Sequence, residues 1–210
     1  MTPRRAFLHT AAAAAAASLW LRPASAFAQG ASNIVELGGD VLVNGRRAAP
    51  DDAIQPGDRI QTAPGGTLGF TLGRDAFLVR PGSDLTLVRG ASLFIVGGVR
   101  LVSGGLLSVF GRSARARQVV TPTVTAGIRG TGFYVEARAG STYFCTCFGV
   151  IDLAAAGGQR ETVTAERHQA RLVSAAPAGA IAVAPFENHD DAELLRLARL
   201  VGQRPAGYAR

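Results

Sequence analysis

Cys145 and Cys147 are the only cysteines in the 210 residues, standing as Tyr143-Phe144-Cys145-Thr146-Cys147-Phe148 inside a predicted strand. Residues i and i+2 of a strand share a face, so both thiols point the same way. Their Cα atoms in a regular strand lie about 6.5–7 Å apart, at the upper limit for a disulfide, and a bridge would need a bend that Gly149 could supply. Three states are open to the pair: buried or unpaired thiols, a strained or intermolecular disulfide, and a metal or redox site. The third draws on His168 and His189, the only histidines beyond residue 9. Two thiolates and two imidazoles suit zinc or copper, although the spacing is not that of a zinc finger.

Other chemistry has little to stand on. The chain has no Gly-x-Ser-x-Gly elbow, no His-Glu-x-x-His helix and no phosphate-binding glycine loop. Asp51-Asp52 and Asp190-Asp191 are paired carboxylates, but they fall where a turn and a helix cap account for them. No catalytic residue and no obligate cofactor are expected, and the chain reads as a non-enzyme.

The elements that must carry these residues are short strands. Asn33–Leu37 and Val41–Val43 lead into Asn44-Gly45, the strongest hairpin signal in the chain. Strand candidates then recur every seven to twelve residues, among them Val99–Val102, Leu106–Phe110, Ser141–Phe148 and Val150–Leu153, most of them separated by glycine turns. This pattern predicts an all-β fold, a rolled or β-helix-like stack of short strands, with one C-terminal helix. After a connector over Pro185–Asp190, Asp190 or Asp191 caps a helix running to about Val201. Leu194, Leu197, Ala198 and Val201 share one side of it. So short a helix should dock on the sheet, over an edge or an open end.

One stretch is more specific than the rest: Val119-Val120-Thr121-Pro122-Thr123-Val124-Thr125-Ala126-Gly127-Ile128-Arg129-Gly130-Thr131-Gly132-Phe133-Tyr134-Val135-Glu136. Pro122 punctuates a ladder, and the glycines suit positive φ or close approach. In the strand that follows, Phe133 and Val135 share one face, and Tyr134 and Glu136 the other, which could be wet. Thr121-Pro122 and Arg129-Gly130-Thr131-x-Phe133 resemble the hallmark of the FecR domain. Upstream, Val41-x-Val43-Asn44-Gly45 and Gly57-Asp58-x-Ile60-x-Thr62 resemble that family's entry strands, so the resemblance covers roughly residues 34–153. It implies an all-β periplasmic module whose hallmark residues maintain the fold and which commonly relays the state of an outer-membrane receptor. Classical FecR regulators place an anti-sigma region and a membrane helix before this domain; here an export signal precedes it directly.

Residues 1–28 read as that signal, with Arg4-Arg5, an alanine-rich run and Ala26-Phe27-Ala28 as cleavage site. Arg4-Arg5-x-Phe7-Leu8 resembles the twin-arginine export motif. The expected organisation is a leader over 1–28, a FecR-like domain over 29–183 and a connector with helix over 184–210. The mature protein would be periplasmic, with no transmembrane segment left after leader removal. The net charge of +7 loses three arginines and no acid with the leader, leaving +4. Arg112-x-x-Arg115-x-Arg117 forms the one basic cluster and reads as a solvated connector. Nucleic-acid binding is not expected, since the cluster has no interleaved aromatics.

Three functions from different classes remain. The first is a non-enzymatic periplasmic binding or sensory module acting through protein or cell-envelope contacts. The second is a metal-binding or redox protein centred on Cys145 and Cys147, and the third an enzyme acting on cell-envelope polymers.

Overall fold

The structure is a computed structural model that describes residues 31–92, 95–175, 177 and 179–208. The leader over 1–28 lies outside the described residues, as do residues 93–94 of a further strand candidate that the sequence offers over 92–96.

The described chain is mostly β. Its first strands are β1 (Ile34–Gly38), β2 (Val41–Val43), β3 (Arg46–Arg47), β4 (Arg59–Thr62) and β5 (Thr67–Leu72). Then come β6 (Asp75–Val79), β7 (Asp84–Arg89), the long β8 (Val96–Val109), β9 (Arg117–Val120) and β10 (Val124–Ile128). The last five are β11 (Gly132–Arg138), the long β12 (Ser141–Ala155), β13 (Arg160–Ala165), β14 (Gln169–Ser174) and β15 (Ile181–Ala184). A helix, α1 (Asp191–Leu200), and a 3-10 turn over Ala206–Tyr208 close the described chain.

Two sheets share two strands. The first runs β1-β5-β6-β8-β11-β12-β14-β15, and the second β3-β2-β4-β7-β8-β9-β10-β12-β13. β8 pairs in the second sheet as far as Ser103 and in the first from Gly104. β12 pairs in the first sheet as far as Phe148 and in the second from Gly149. The crossings fall at φ +78 for Gly104 and +94 for Gly149, backbone that only glycine adopts cheaply. Each long strand had read as two short ones, because the glycines that look like turns in the sequence are bends within a continuous ladder. Only β8–β9 pairs in parallel among the described strands. The fold is therefore the rolled alternative; a β-helix-like stack would be parallel throughout.

Between the sheets lies the main core, through which five phenylalanines run as a ladder. Phe70–Phe77, Phe77–Phe110, Phe110–Phe133 and Phe133–Phe144 have ring centroids 4.7, 5.4, 5.6 and 5.4 Å apart. A buried ion pair seals one end of it. Asp75 accepts from Arg117 at 2.7–2.8 Å and from the Gly111 amide at 2.8 Å, and the guanidinium lies 4.5 Å from the Phe110 ring. Thus only Arg112 and Arg115 of the basic cluster are solvated, while Arg117 is folded inside.

The threonines around Pro122 have a structural task. Thr121 and Thr123 sit in the β9–β10 turn, buried, with their Oγ1 atoms 2.8 and 2.7 Å from Thr142 Oγ1 on β12. Thr121 Oγ1 also accepts from the Val124 amide, and Thr123 Oγ1 donates to the Val173 carbonyl. Pro122 between them holds the turn's geometry. The three hydroxyls tie the second sheet's hairpin to β12 and β14 of the first. Gly130 takes φ +65, Thr131 and Phe133 are fully buried, and Arg129 reaches across the surface to Asp152.

The other face of the first sheet is apolar as well. Ala76, Leu78, Leu107, Val109, Tyr134, Tyr143, Cys145 and Cys147 form a second cluster with Leu194, Leu197 and Ala198 of α1. The expectation of a wet Tyr134 face is corrected here: Tyr134 is buried because the C-terminal segment lies over it. α1 has the expected bounds and cap, with Asp190 accepting from the Glu193 amide and Glu193 answering the Asp190 amide. It packs on β6 and β8 in the middle of the sheet, not over an edge. The apolar stripe of the helix needs an apolar face, and the strand edges offer only backbone polar groups.

Candidate metal centre

The two cysteines lie on β12 with their side chains on the face that α1 and its connector cover, and both are free thiols with no exposed surface. Strand alternation does this: Phe144 points into the phenylalanine ladder while Tyr143, Cys145 and Cys147 point outward. The bend at Gly149 comes after the pair and does not draw the sulfurs into a bridge.

His168 sits in the β13–β14 turn, where its amide donates to the Cys147 carbonyl at 3.2 Å, and takes φ +20. A non-glycine residue at positive φ is a local cost that its surroundings must compensate. His189 lies on the connector between β15 and α1, directly before the cap residue Asp190 and directly after Asn188, which has φ +63. The fold thus carries both histidines to the same two thiols, from 21 and 42 residues downstream of Cys147.

The four ligand atoms all lie within 4.8 Å of one another. Cys147 Sγ is 3.3 Å from His189 Nε2, and Cys145 Sγ is 3.7 Å from His168 Nδ1. A tetrahedron built from ordinary zinc–sulfur and zinc–imidazole bonds has edges of about 3.3–3.8 Å. The two cross-pairs already have that length.

The outer nitrogens fix the tautomers. His168 Nε2 meets Asp191 Oδ1 at 2.7 Å and the Tyr208 hydroxyl at 3.0 Å, and the Tyr208 hydroxyl donates to the Cys147 carbonyl at 3.0 Å. His189 Nδ1 donates to the Glu187 carbonyl at 2.8 Å. In its neutral form each ring keeps its proton on the far nitrogen and leaves a lone pair on the near one, the arrangement in which imidazole ligates metals. Phe186 lies 4.2 Å from the His168 ring and 4.6 Å from the His189 ring, and Tyr134 stacks on His189 at 4.8 Å. A cleft of about 570 Å³, lined by Arg80, Tyr134, Glu136 and Glu193, reaches His189 from solvent.

The thiols and the imidazoles are electrostatically linked. The hydrogen bond from Cys147, with further bonds from His168 and His189, overcomes burial and holds Cys145 down at about 4. Burial, together with the neighbouring sulfur's charge, pushes Cys147 well up. Burial works against a charged His168, yet its bonds to Cys145 and Asp191 hold its pKa above the ordinary value.

All four expected ligands come together. Asp191, Tyr208 and Phe186 were not anticipated: Asp191 had been given a capping role, which Asp190 fills alone, and no spacing in the sequence links Tyr208 to residue 168. The other carboxylate pair behaves as expected, with Asp52 accepting from the Ala49 amide and pairing with Arg46.

No family model matches the chain, and no curated protein does. Two crystal structures of a putative anti-sigma factor from Parabacteroides distasonis, at 2.50 and 1.65 Å, resemble it in fold. Their TM-scores are 0.51 and 0.50 at 14% and 15% identity, over 61% of this chain. The chain spans about 60% of the length of these neighbours. At this identity the likeness concerns the fold. Among the described residues no helix is long and apolar enough to cross a membrane.

Proposed function

We propose that this chain is a non-enzymatic, exported regulatory module of the FecR type that works through protein contacts and carries a Cys2His2 metal centre whose occupancy it reports. One observation carries the reading: four ligand atoms converge within 4.8 Å, and the outer nitrogen of each histidine is bonded to an acceptor. The resemblance at Thr121, Pro122, Arg129, Gly130, Thr131 and Phe133 supports the family, and a fold shared with a protein described as a putative anti-sigma factor is in keeping with a regulatory role. The leader-like residues 1–28 support a periplasmic address.

Cys145, His168 and Asp191 also stand in the order of a thiol nucleophile, a base and an orienting acid. Ligation accounts for more of the site than attack does. Cys145 has no exposed surface for a substrate to reach, and Cys147 and His189 have no task in such a triad. Thiolate and imidazole ligands select zinc or copper over magnesium or calcium, and full coordination by protein atoms belongs to a structural or sensing site.

The test is elemental analysis with a thiol count on protein purified from periplasm under reducing conditions without chelator. About one zinc or copper per chain, with both thiols protected until the metal is stripped, is the expected result. Two reactive thiols in metal-free protein that takes up neither zinc nor Cu(I) would overturn the metal centre. A tagged exported copy that recovers no envelope protein would count against the regulatory role.

A further inference from the structure

The ligand set is divided between two parts of the chain. Cys145 and Cys147 lie on β12 and His168 in the turn before β14, all within the sheet. His189 belongs to the segment that leaves β15 and lies over the sheet's outer face. That segment also supplies Asp191 and Tyr208, the two side chains bonded to the outer nitrogen of His168. Residues 185–208 therefore meet the centre three times.

Without an ion, Asp191 and Tyr208 still bond to the sheet side, but His189 itself is held there only weakly. The Nδ1 bond of His189 is local, to a carbonyl two residues away, and its Nε2 faces only the Cys147 thiol, a weak donor. α1 buries three apolar residues, Leu194, Leu197 and Ala198, and its ten residues are fewer than an isolated helix needs for stability. The rest of the hold is mostly polar: Arg80 with Glu193, Arg138 with Glu187, Asn188 with Glu136, Arg196 with Glu36, Tyr143 with the Pro185 carbonyl and the Glu187 amide, and Tyr208 with the Cys147 carbonyl.

We infer that a metal ion bound by Cys145, Cys147, His168 and His189 is the clasp that docks the C-terminal segment, so that metal occupancy sets whether α1 covers the sheet face formed by Ala76, Leu78, Leu107 and Val109. This rests on the metal reading above and adds its consequence. An ion shifts an equilibrium by its difference in affinity for the two states. The docked state offers four ligands with two outer partners for His168, whereas the undocked state offers three ligands with none. Loss of an outer partner alone typically costs ten- to a hundredfold in affinity, and loss of a ligand costs at least as much. The docking equilibrium moves by that same ratio.

Amide hydrogen exchange on the reduced full chain, with and without one equivalent of zinc, tests the clasp alongside a measured zinc stoichiometry. Exchange of the Leu194–Leu200 amides should slow about tenfold or more with zinc, while β5 and β6 stay as protected as before. In His189→Ala zinc should still bind, more weakly, and α1 exchange should no longer respond to it. Stoichiometric zinc with unchanged α1 exchange in the wild type overturns the clasp and leaves the metal centre standing. A zinc response of α1 as large in His189→Ala as in the wild type overturns it too. No uptake of zinc by the wild type overturns the metal reading, and the clasp falls with it. The wild-type comparison decides by itself if His189→Ala does not fold, and β5 and β6 protection reports folding in the same spectra.

Discussion

Asp191 Oδ1 lies 2.7 Å from His168 Nε2, on the side of the ring away from Cys145, so a residue of the helix's first turn orients a ring on the sheet. Arg167 reaches the same carboxylate and helps hold its pKa below the usual range. Asp191→Asn keeps a hydrogen-bond acceptor but removes the charge. It should weaken zinc affinity about ten- to a hundredfold with one zinc per chain still bound at saturation. A competition titration with a chromophoric chelator measures this, and unchanged affinity would mean that Asp191 serves the helix terminus alone.

Gly130 combines φ +65 with a crowded site: a Cβ there would come 2.9 Å from Arg112 Cγ. Gly130→Val should cost about 2–3 kcal/mol, because a β-branched residue is disfavoured in left-handed backbone whatever the surrounding space. Urea denaturation with an unchanged midpoint would remove this account of Gly130.

Thr142 is the shared partner of Thr121 and Thr123. Thr142→Val leaves the shape nearly intact but takes the central hydroxyl from two buried ones, for an expected loss of about 1–3 kcal/mol. In the triple variant Thr121→Val, Thr123→Val, Thr142→Val the loss should be smaller than the sum of the three single losses, since no hydroxyl is left searching for a partner. Strict additivity in thermal melts would show that the threonines act separately.

Arg117 neutralises Asp75 inside the core. Arg117→Met removes the cation and strands a buried carboxylate, at an expected cost of about 3–5 kcal/mol. Asp75→Asn added to Arg117→Met should restore part of that loss. A double variant no more stable than Arg117→Met would show that packing on Phe110, not charge, is what Arg117 provides.

Glu193 is held below the ordinary carboxylate range chiefly by its hydrogen bonds to Arg80, which donates from both terminal nitrogens at 2.7 and 2.6 Å. A carboxylate whose folded pKa is depressed stabilises the folded state above its unfolded pKa, near 4.3, and loses that contribution as pH falls through the folded value. Acid should therefore loosen α1 below about pH 4.3, before the sheet unfolds. Glu193→Gln should show less of this acid-dependent loosening of α1 by hydrogen exchange; an identical acid profile would place the sensitive group elsewhere.

Much was legible in the sequence because it is written locally. The all-β class follows from short alternating runs with glycine punctuation. The Asn44-Gly45 hairpin forms with both residues at positive φ, as that dipeptide favours. The helix over Asp191–Leu200 follows from its cap and its apolar stripe. The candidate ligand types were also readable, since two thiols on one strand face and two histidines beyond residue 9 are a short inventory. Tertiary structure decided the rest. Whether Gly104 and Gly149 end strands or bend them depends on which neighbours pair on either side, and that is settled by contacts far away in sequence. Tyr134 and Cys145 could not be assigned a dry or wet face from alternation alone, because alternation says which residues share a face and not what lies over it. The centre itself forms only when the sheet, the β13–β14 turn and the C-terminal segment meet. Residues 145, 147, 168, 189, 191 and 208 have no common period: the sheet brings the first three together, and the docking of the C-terminal segment on it adds the other three.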